Sequence, residues 1–348
     1  MKQAKVVMLV AALAALSSFG AVVNAAAPVE RLQKAQVPSV ALKGNLEGDP
    51  AERQVTVYLP PSYAKSPQRR YPVLYLLHGY TDSDDRWFGR TGKHFVNVPS
   101  AADKAFAAGA REMIIVMPNA YTRFQGSMYS SSATTGDWET FIAKELVAWT
   151  DAHYRTIAKR ESRGLAGHSM GGYGTVRIGM KHPGVFQSLY AMSPCCMGAS
   201  LQPNSDAMAK AAAIKTDEDL AKADFGTKAM LASAAAWSPN PARPPFFVDL
   251  PMKDGQPDAE VIARWAANAP LAMTTQYIPA LKRHDGIVLD AGDKDAGIAQ
   301  TVRQLDRILT DFGVTHQAEI YEGDHVNRID ERITSKLLPF FSAQLKDR

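Results

Sequence analysis

The residues best suited to chemistry in this 348-residue chain are a serine set among glycines and the acidic and histidine side chains that follow it. The stretch Gly167-His168-Ser169-Met170-Gly171 has the pattern G-x-S-x-G. Such a pattern arises by chance in roughly one chain in ten of this length, so the string alone does not separate a nucleophile from a glycine turn. A serine hydroxyl needs a base and an orienting acid to react. The partners therefore decide the question.

Histidine is the first partner to look for, and four histidines follow the serine: His182, His284, His316 and His325. The first lies at the end of a predicted helix, and the next two precede predicted strands. Only His325 follows a predicted strand, "HQAEIYEG", and so falls at a strand's carboxyl end. We predict that His325 is the base that accepts the proton of Ser169.

The acid is expected after the preceding predicted strand, "DGIVLDAG", where three aspartates are candidates. Asp290 is expected to lie inside that strand. Asp295, three residues past Gly292, is best placed to accept the imidazole N–H and to fix its tautomer. Asp293 is the second candidate. The alternative role for Asp295 is an ordinary helix cap.

An oxyanion formed during acyl transfer needs two hydrogen-bond donors. One is expected to be the backbone N–H of Met170, directly after the serine. The second is expected from "LLHGYTDSDD", where Gly79 lets the chain turn back and Tyr80 presents its N–H. His78 is expected to brace this loop. His168 points the wrong way to be the base and is expected to be structural.

The elements that must position these residues alternate along the chain. The predicted strands are "YPVLYLLHG", "EMIIVMPNA", "SRGLAGHS", "FQSLYAMSP", "DGIVLDAG" and "HQAEIYEG", with helical patterns between them, one of which opens at Asp137 as its N-cap. Before them, "SVALKGNLEGDPAERQVTVYLPPSY" predicts two antiparallel strands around a Gly-Asp-Pro turn. Apolar strands alternating with helices predict an α/β fold with a largely parallel sheet covered on both faces. Ser169 then lies at a strand-to-helix turn, where Gly167 and Gly171 let the backbones pass.

The alternation stops between residues 197 and about 283. This stretch has alanine-rich helical pieces around the proline-dense "WSPNPARPPFFVDLP", and it is too long for a simple connection. We predict an inserted helical cap over the carboxyl ends of the strands, with a flap that has no part in substrate choice as the alternative. Trp237, Phe246 and Phe247 are candidates to line an acyl pocket, or else they anchor the packing of the cap.

The N-terminus predicts export. Lys2 and Lys5 precede the apolar run "VVMLVAALAAL" and then small residues, which is typical of a signal peptide over residues 1–27 that is cut after Ala25 or Ala27. The apolar run is shorter than the ~20 residues that a membrane span needs. Residues 28–348 would then form one exported, periplasmic or secreted domain. The formal net charge of +4 includes both lysines, and without a basic run it indicates no nucleic-acid partner.

The two cysteines of the chain are neighbours, Cys195 and Cys196. Neighbouring Cα atoms lie about 3.8 Å apart, below the ~4.4–6.8 Å of most disulfides. Two buried thiols at a strand end are therefore favoured over a strained vicinal bridge. The spacing offers no metal site.

Five segments together resemble one known family: "YPVLYLLHGYTDSDDRW", "GSMYSSSATTGDWETFIAKELVAWTDAHYRT", "GLAGHSMGGYGTVRIGMKHPGVFQSLYAMS", "LDAGDKD" and "YEGDH". They resemble the esterase family of α/β-hydrolases that holds esterase D (S-formylglutathione hydrolase), the feruloyl esterases attached to xylanases and the secreted mycolyltransferases. The resemblance spans roughly residues 40 to 345. The residues of 197–283 and the pair in "SPCCMG" depart from it.

The resemblance implies an α/β-hydrolase fold and a triad of Ser169, Asp295 and His325, with Met170 and Tyr80 as oxyanion donors. It implies a serine carboxylic-ester hydrolase that needs no metal or organic cofactor. With export, acyl or feruloyl esters of carbohydrates are the expected substrates. An acyltransferase that uses the same triad, and an S-formylglutathione-type thioester hydrolase, are the alternatives.

Overall fold

The structure is a computed structural model, and it describes residues 30–198 and 205–348. The predicted signal peptide over residues 1–27 lies outside the described residues. So do residues 199–204 of the predicted cap. No helix in the two described ranges is both long and apolar enough to cross a membrane.

An eight-stranded sheet forms the centre of the fold. Its strands in spatial order are β1 (Leu32–Val37), β2 (Arg53–Tyr58), β4 (Ile114–Pro118), β3 (Val73–Leu77), β7 (Arg163–His168), β8 (Ser188–Met192), β11 (Gly286–Gly292) and β12 (Gln317–Tyr321). The pairings of β2 with β1 and with β4 are antiparallel, and the others are parallel. The carboxyl ends of five neighbouring parallel strands therefore meet at one edge of the sheet: β3, β7, β8, β11 and β12. We call the loops that follow these five strands the carboxyl edge.

Helices cover both faces of the sheet. They are α1 (Asp84–Trp87), α2 (Val98–Ala107), α3 (Trp138–Thr140), α4 (Leu146–His153), α5 (Met170–Lys181), α12 (Ala296–Asp311), α13 (Ile329–Arg332) and α14 (Leu338–Gln344). Strands β3, β4 and β8 are buried throughout, and their two sets of side chains enter two separate apolar clusters. This burial explains their continuous apolar runs. The predicted α/β class is confirmed.

Two local predictions have different outcomes. Asp137 is an N-cap as predicted, because its carboxylate accepts the N–H of Thr140 at 3.0 Å. The first strand was placed wrongly: it is Leu32–Val37, whereas residues 39–50 form turns. Strand β1 lies at the sheet edge and is only partly buried, so its sequence LQKAQV lacks the apolar signal of the central strands.

Between β8 and β11 the chain forms a set of helices that we call the helical segment, residues 205–281. Its elements are α6 (Ser205–Ala213), α7 (Asp217–Lys222), α8 (Phe225–Trp237), α9 (Ala259–Asn268), α10 (Pro270–Met273) and α11 (Ile278–Leu281), with a hairpin of β9 (Met252–Lys253) and β10 (Gln256–Pro257). A second hairpin, β5 (Ser131–Ser132) with β6 (Gly136–Asp137), contacts the helical segment. Thr134 donates a hydrogen bond to the Phe247 carbonyl at 2.7 Å, and Ser132 donates one to the Ala235 carbonyl.

Candidate active site

Ser169 lies at the turn between β7 and α5, with φ +56° and ψ −115°. A residue with a Cβ rarely adopts a positive φ, so this backbone is strained. The turn is held by neighbours in the sheet. The Ser169 N–H donates to the Met192 carbonyl at 3.0 Å, and the Ser169 carbonyl accepts the Cys195 N–H at 3.1 Å. The serine side chain is thereby presented above the carboxyl edge.

Two glycines permit the turn because other backbones pass close to them. A Cβ on Gly167 would lie 2.3 Å from the Gly171 backbone, and one on Gly171 would lie 2.0 Å from the Leu77 carbonyl oxygen. Neither glycine has a positive φ. Their requirement is therefore for space between β7, α5 and β3, which is the reason the G-x-S-x-G spacing predicts.

The loops after β11 and β12 bring two more predicted residues to the serine. His325 Nε2 lies 3.0 Å from Ser169 Oγ, and His325 Nδ1 lies 2.5 Å from Asp295 Oδ2. Because Nδ1 faces a carboxylate, it carries the proton, and Nε2 is left with a lone pair toward the serine hydroxyl. Asp295, His325 and Ser169 thus form one continuous chain of hydrogen bonds. Such a chain can draw the proton from the serine.

The other aspartates after β11 have different partners. Asp293 Oδ1 accepts the Gly323 N–H at 3.0 Å and so braces the loop that carries His325. Asp290 lies within β11 as predicted, and its carboxylate accepts hydrogen bonds from Arg332 Nε at 2.7 Å and from the Tyr190 hydroxyl at 2.8 Å. The carboxylate partner of the His325 imidazole is instead Asp295.

The remaining candidate histidines are also engaged elsewhere. His284 is buried, and its ring nitrogens face the Phe186 and Gly179 carbonyls. His316 Nε2 lies 2.9 Å from Asp306 Oδ1.

The loop after β3 lies against the serine. A Cβ on Gly79 would lie 3.4 Å from Ser169 Cβ. His78 braces this loop, as predicted: its Nε2 accepts the Ala120 N–H at 2.8 Å, so its Nδ1–H donates to the Gly79 carbonyl at 2.8 Å. Burial lowers the pKa of His78, which keeps the ring neutral. Tyr80 is the next residue of this loop.

The N–H group of Met170 is free of intrahelical bonding because Met170 is the first residue of α5. Past Tyr80, the N–H groups of Thr81 and Asp82 donate to the Gln125 and Gly79 carbonyls, which fixes the loop. Met170 follows Ser169 at the start of α5, and Gly79, which precedes Tyr80, approaches Ser169 from the loop after β3. This arrangement can offer two donors to an oxygen bound above the serine.

His168 has a role that the sequence did not specify. Its Nε2 donates to the His325 carbonyl at 2.8 Å, and the two rings lie 4.7 Å apart. Burial, with the neighbouring His325, lowers the pKa of His168 to about 3. A neutral His168 therefore holds the backbone of His325. No local sequence pattern predicts this contact, because His168 and His325 lie 157 positions apart.

The two cysteines are free thiols, with their sulfurs 2.9 Å apart. The hydrogen bond between the Cys195 S–H and Cys196, together with burial, raises the pKa of the Cys195 thiol. Cys195 is therefore protonated beside Ser169. In the two described ranges, no three His, Cys, Asp or Glu side chains cluster in a way that could hold a metal ion.

The predicted pocket aromatics do not share one pocket. Trp237 and Cys196 line a cavity of about 240 Å³, whereas Phe246 lines a different one of about 490 Å³. Phe247 lines neither. Phe246 instead packs edge-on against Phe124, with ring centroids 5.8 Å apart. An acyl-binding role for these aromatics stays a prediction, with Trp237 and Phe246 on separate cavities.

The chain is similar in sequence to several known proteins. A family model described as "Putative esterase" matches residues 50–329. An esterase of Mycobacterium tuberculosis is 38% identical over 136 residues, which cover 38% of this chain and 27% of that protein. The S-formylglutathione hydrolase of Bos taurus is 27% identical over 159 residues, which cover 40% of this chain and 51% of that protein. The matches thus span about a quarter to a half of these curated relatives.

Solved structures share the fold over nearly the whole chain. A ferulic acid esterase superposes with a TM-score of 0.63 at 22% identity, covering 90% of this chain and 98% of that one. An S-formylglutathione hydrolase from Staphylococcus aureus has a TM-score of 0.58 at 17% identity, covering 89% and 98%. These likenesses confirm the α/β-hydrolase fold. Because the family model matches well over half of the chain, the protein belongs to the esterase family that the sequence resemblance indicated.

Proposed function

We propose that the protein is a serine carboxylic-ester hydrolase in which Ser169 is the nucleophile, His325 the base and Asp295 the orienting acid. The observation that carries the proposal is the hydrogen-bond chain from Asp295 Oδ2 through His325 to Ser169 Oγ, with distances of 2.5 and 3.0 Å. Family membership supports it.

Each residue has one task in the proposed reaction. Ser169 Oγ attacks the ester carbonyl while His325 Nε2 takes its proton. The Asp295 carboxylate holds the Nδ1–H and stabilises the imidazolium that forms. The backbone N–H groups of Tyr80 and Met170 donate to the carbonyl oxygen as it becomes an oxyanion. The imidazolium then protonates the leaving alcohol, and the acyl group remains on Ser169.

Water completes the cycle. His325 Nε2 accepts a proton from a water molecule, which attacks the acyl-enzyme carbonyl. The imidazolium then returns a proton to Ser169 Oγ as the bond from Oγ to the acyl carbon breaks and the acid leaves. Neutral His168 supports both halves of the reaction, because it holds the His325 backbone without placing a second positive charge next to the imidazolium.

The substrates that we propose are esters of carbohydrates, which the exported enzyme would meet outside the cytoplasm. The signal-peptide pattern of residues 1–27 supports export. A relative named endo-1,4-beta-xylanase/feruloyl esterase, from Xylanibacter ruminicola, is 32% identical over 136 residues, which are 18% of its length. Acyl or feruloyl groups on sugars are therefore preferred over S-formylglutathione as substrates.

The Ser169→Ala variant tests the proposal in an ester-hydrolysis assay. We expect kcat on p-nitrophenyl acetate and methyl ferulate to fall at least about 10⁴-fold, because the nucleophile is lost. Ser335→Ala is the matched control, since Ser335 is exposed on the C-terminal helices and donates only to the Glu331 carbonyl. Equal hydrolysis by wild type and Ser169→Ala would overturn the proposal.

Product analysis separates hydrolysis from acyl transfer. The same acyl-enzyme can pass its acyl group to a sugar hydroxyl if water is kept out. With glucose or trehalose present as acceptor, we expect free acid to remain the main product. Acylated sugar as the main product would replace the hydrolase by the transferase.

A further inference from the structure

Within residues 30–198 and 205–348, the 240 Å³ cavity of the helical segment has an uncharged lining. The lining residues in those ranges are Cys196, Gly198, Met208, Met230, Ser233, Trp237, Pro251, Ile262, Trp265 and Ala269. The two indole rings stand edge to face, 5.3 Å apart. The Trp265 N–H donates to Ser238 Oγ at 2.8 Å, which fixes that ring. The cavity therefore suits an apolar group and opposes a charged one.

The cavity adjoins the serine turn. Cys195, whose N–H donates to the Ser169 carbonyl at 3.1 Å, precedes the lining residue Cys196. A left-handed φ of +60° at Cys196 turns the chain at this point. On the other side, the Trp237 ring lies 5.7 Å from that of Tyr173, in the first turn of α5 after the serine. Two lining residues thus connect the cavity to the serine turn, Cys196 through its neighbour Cys195 and Trp237 through Tyr173.

The second cavity of the helical segment differs in chemistry. It measures about 490 Å³, and its lining includes Lys215, Arg243 and Asp249. Two of these charges pair with each other, because Arg243 Nε lies 2.8 Å from Asp249 Oδ1. No lining residue of this larger cavity is next to Cys195 in sequence. By volume the larger cavity would be the better candidate for an acyl-binding site, but its charged lining does not suit an apolar acyl group.

We infer that the 240 Å³ cavity is the acyl subsite and that the helical segment makes the enzyme selective for uncharged, apolar acyl groups. This inference rests on the proposed function. An apolar cavity of about 150 Å³ holds benzene in another protein, so this one has room for a single substituted ring or a chain of similar bulk. Each methylene that enters the cavity is expected to raise kcat/KM about fourfold.

The test compares acyl groups of matched length. For wild type we expect kcat/KM on p-nitrophenyl hexanoate to exceed that on the acetate about 250-fold, because four more methylenes, at about fourfold each, enter the cavity. The mono-p-nitrophenyl ester of adipic acid has the same length but ends in a carboxylate. We expect it to be at least about 30-fold poorer than the hexanoate. An adipate ester as good as the hexanoate would overturn the inference.

Variants of Met230 change the cavity in both directions. Met230→Trp fills it, and the hexanoate-to-acetate ratio is expected to fall about tenfold. Met230→Ala enlarges it and is expected to shift the preference toward octanoate. Ala212→Trp is the matched control, because Ala212 is exposed and lines the larger cavity. We expect that control to leave the ratio within about twofold.

Two results would contradict the acyl subsite: an unchanged ratio in both Met230 variants with unaltered thermal unfolding, or a ratio changed by Ala212→Trp alone. Failure of the proposed function looks different. In that case Ser169→Ala hydrolyses the acetate as fast as wild type does.

Discussion

The carboxyl edge and the helical segment lie side by side and are built in opposite ways. At the carboxyl edge, backbones pass so closely that a single added methyl group at Gly171 would lie 2.0 Å from a carbonyl oxygen. In the helical segment, cavities of about 240 and 490 Å³ remain between the elements. The first region fixes atoms within hydrogen-bond distance, and the second leaves room.

The difference indicates a division of labour. Proton transfer between Ser169 and His325 needs geometry that is fixed to a fraction of an ångström, and close-packed backbones supply it. Choice of acyl group needs a space whose size and polarity can change without moving the nucleophile. The helical segment lies between β8 and β11, two strands that pair directly with each other in the sheet.

The largest expected effect tests whether the chemistry depends on the carboxyl edge alone. Asp295→Asn removes the carboxylate from His325 Nδ1 and favours the wrong tautomer, so kcat is expected to fall about 10³- to 10⁴-fold. Asp217→Asn is the control in the helical segment, where Asp217 pairs with Arg123 and is largely exposed. We expect its kcat to stay within about twofold, as measured by ester hydrolysis.

Asp293→Asn sharpens the same comparison within one turn. It keeps an oxygen for the Gly323 N–H, so kcat is expected to fall less than about tenfold. Equal losses in Asp293→Asn and Asp295→Asn would mean that the turn acts as a unit and that the acid is not assigned to one residue.

A pair of glycine substitutions compares packing in the two regions. Gly171→Ala is expected to destabilise the protein by about 3 kcal/mol, because the new methyl group overlaps the Leu77 carbonyl. Gly226→Ala, in the first turn of α8, meets only the Asp224 side chain at 3.4 Å and is expected to stabilise by about 0.5 kcal/mol. Urea unfolding measures both. Effects of the same sign would end the proposed contrast in packing.

The smallest effect concerns Glu47, which contacts the hairpin of β5 and β6 beside the helical segment. The N–H of Glu47 donates to the Thr134 carbonyl at 3.1 Å, and Thr134 in turn bonds to Phe247 of the helical segment. Burial first, and Asp49 second, raise the pKa of Glu47 from 4.5 to about 9. The folded protein therefore keeps this carboxyl neutral where the unfolded chain ionises. Its contribution is fully present below pH 4.5 and is lost as the pH rises toward 9.

Glu47→Gln removes this dependence. We expect the variant to gain roughly 2–5 °C in Tm relative to wild type at pH 8 and to differ little at pH 5. Glu52→Gln, at an exposed neighbouring position, is the control and should show no such trend. A gain of the same size at both pH values would show that the effect is not the titration of Glu47.

Local patterns were sufficient to predict most of the fold and part of the site. Apolar runs of five to seven residues predicted the central strands because those strands are buried on both faces. The position of the edge strand β1 was not predicted, because its exposed face leaves its composition polar. Ser169 and His325 were recognisable because each follows a predicted strand, the buried β7 and the largely exposed edge strand β12, and parallel strands bring their carboxyl ends to one edge.

Other features depended on residues far apart in the chain. Asp293 and Asp295 follow β11 by one and three residues, and the orientation of the turn decides that Asp295, the farther of the two, faces His325, thirty residues later. The support of His325 by His168 and the separation of Trp237 from Phe246 likewise arise from packing. The sequence by itself determined which strands form and which serine and histidine follow them, because burial and strand order are written in local composition. Only the tertiary structure decided which acid reaches the imidazole and where space remains, because side-chain direction and cavities depend on all neighbours at once.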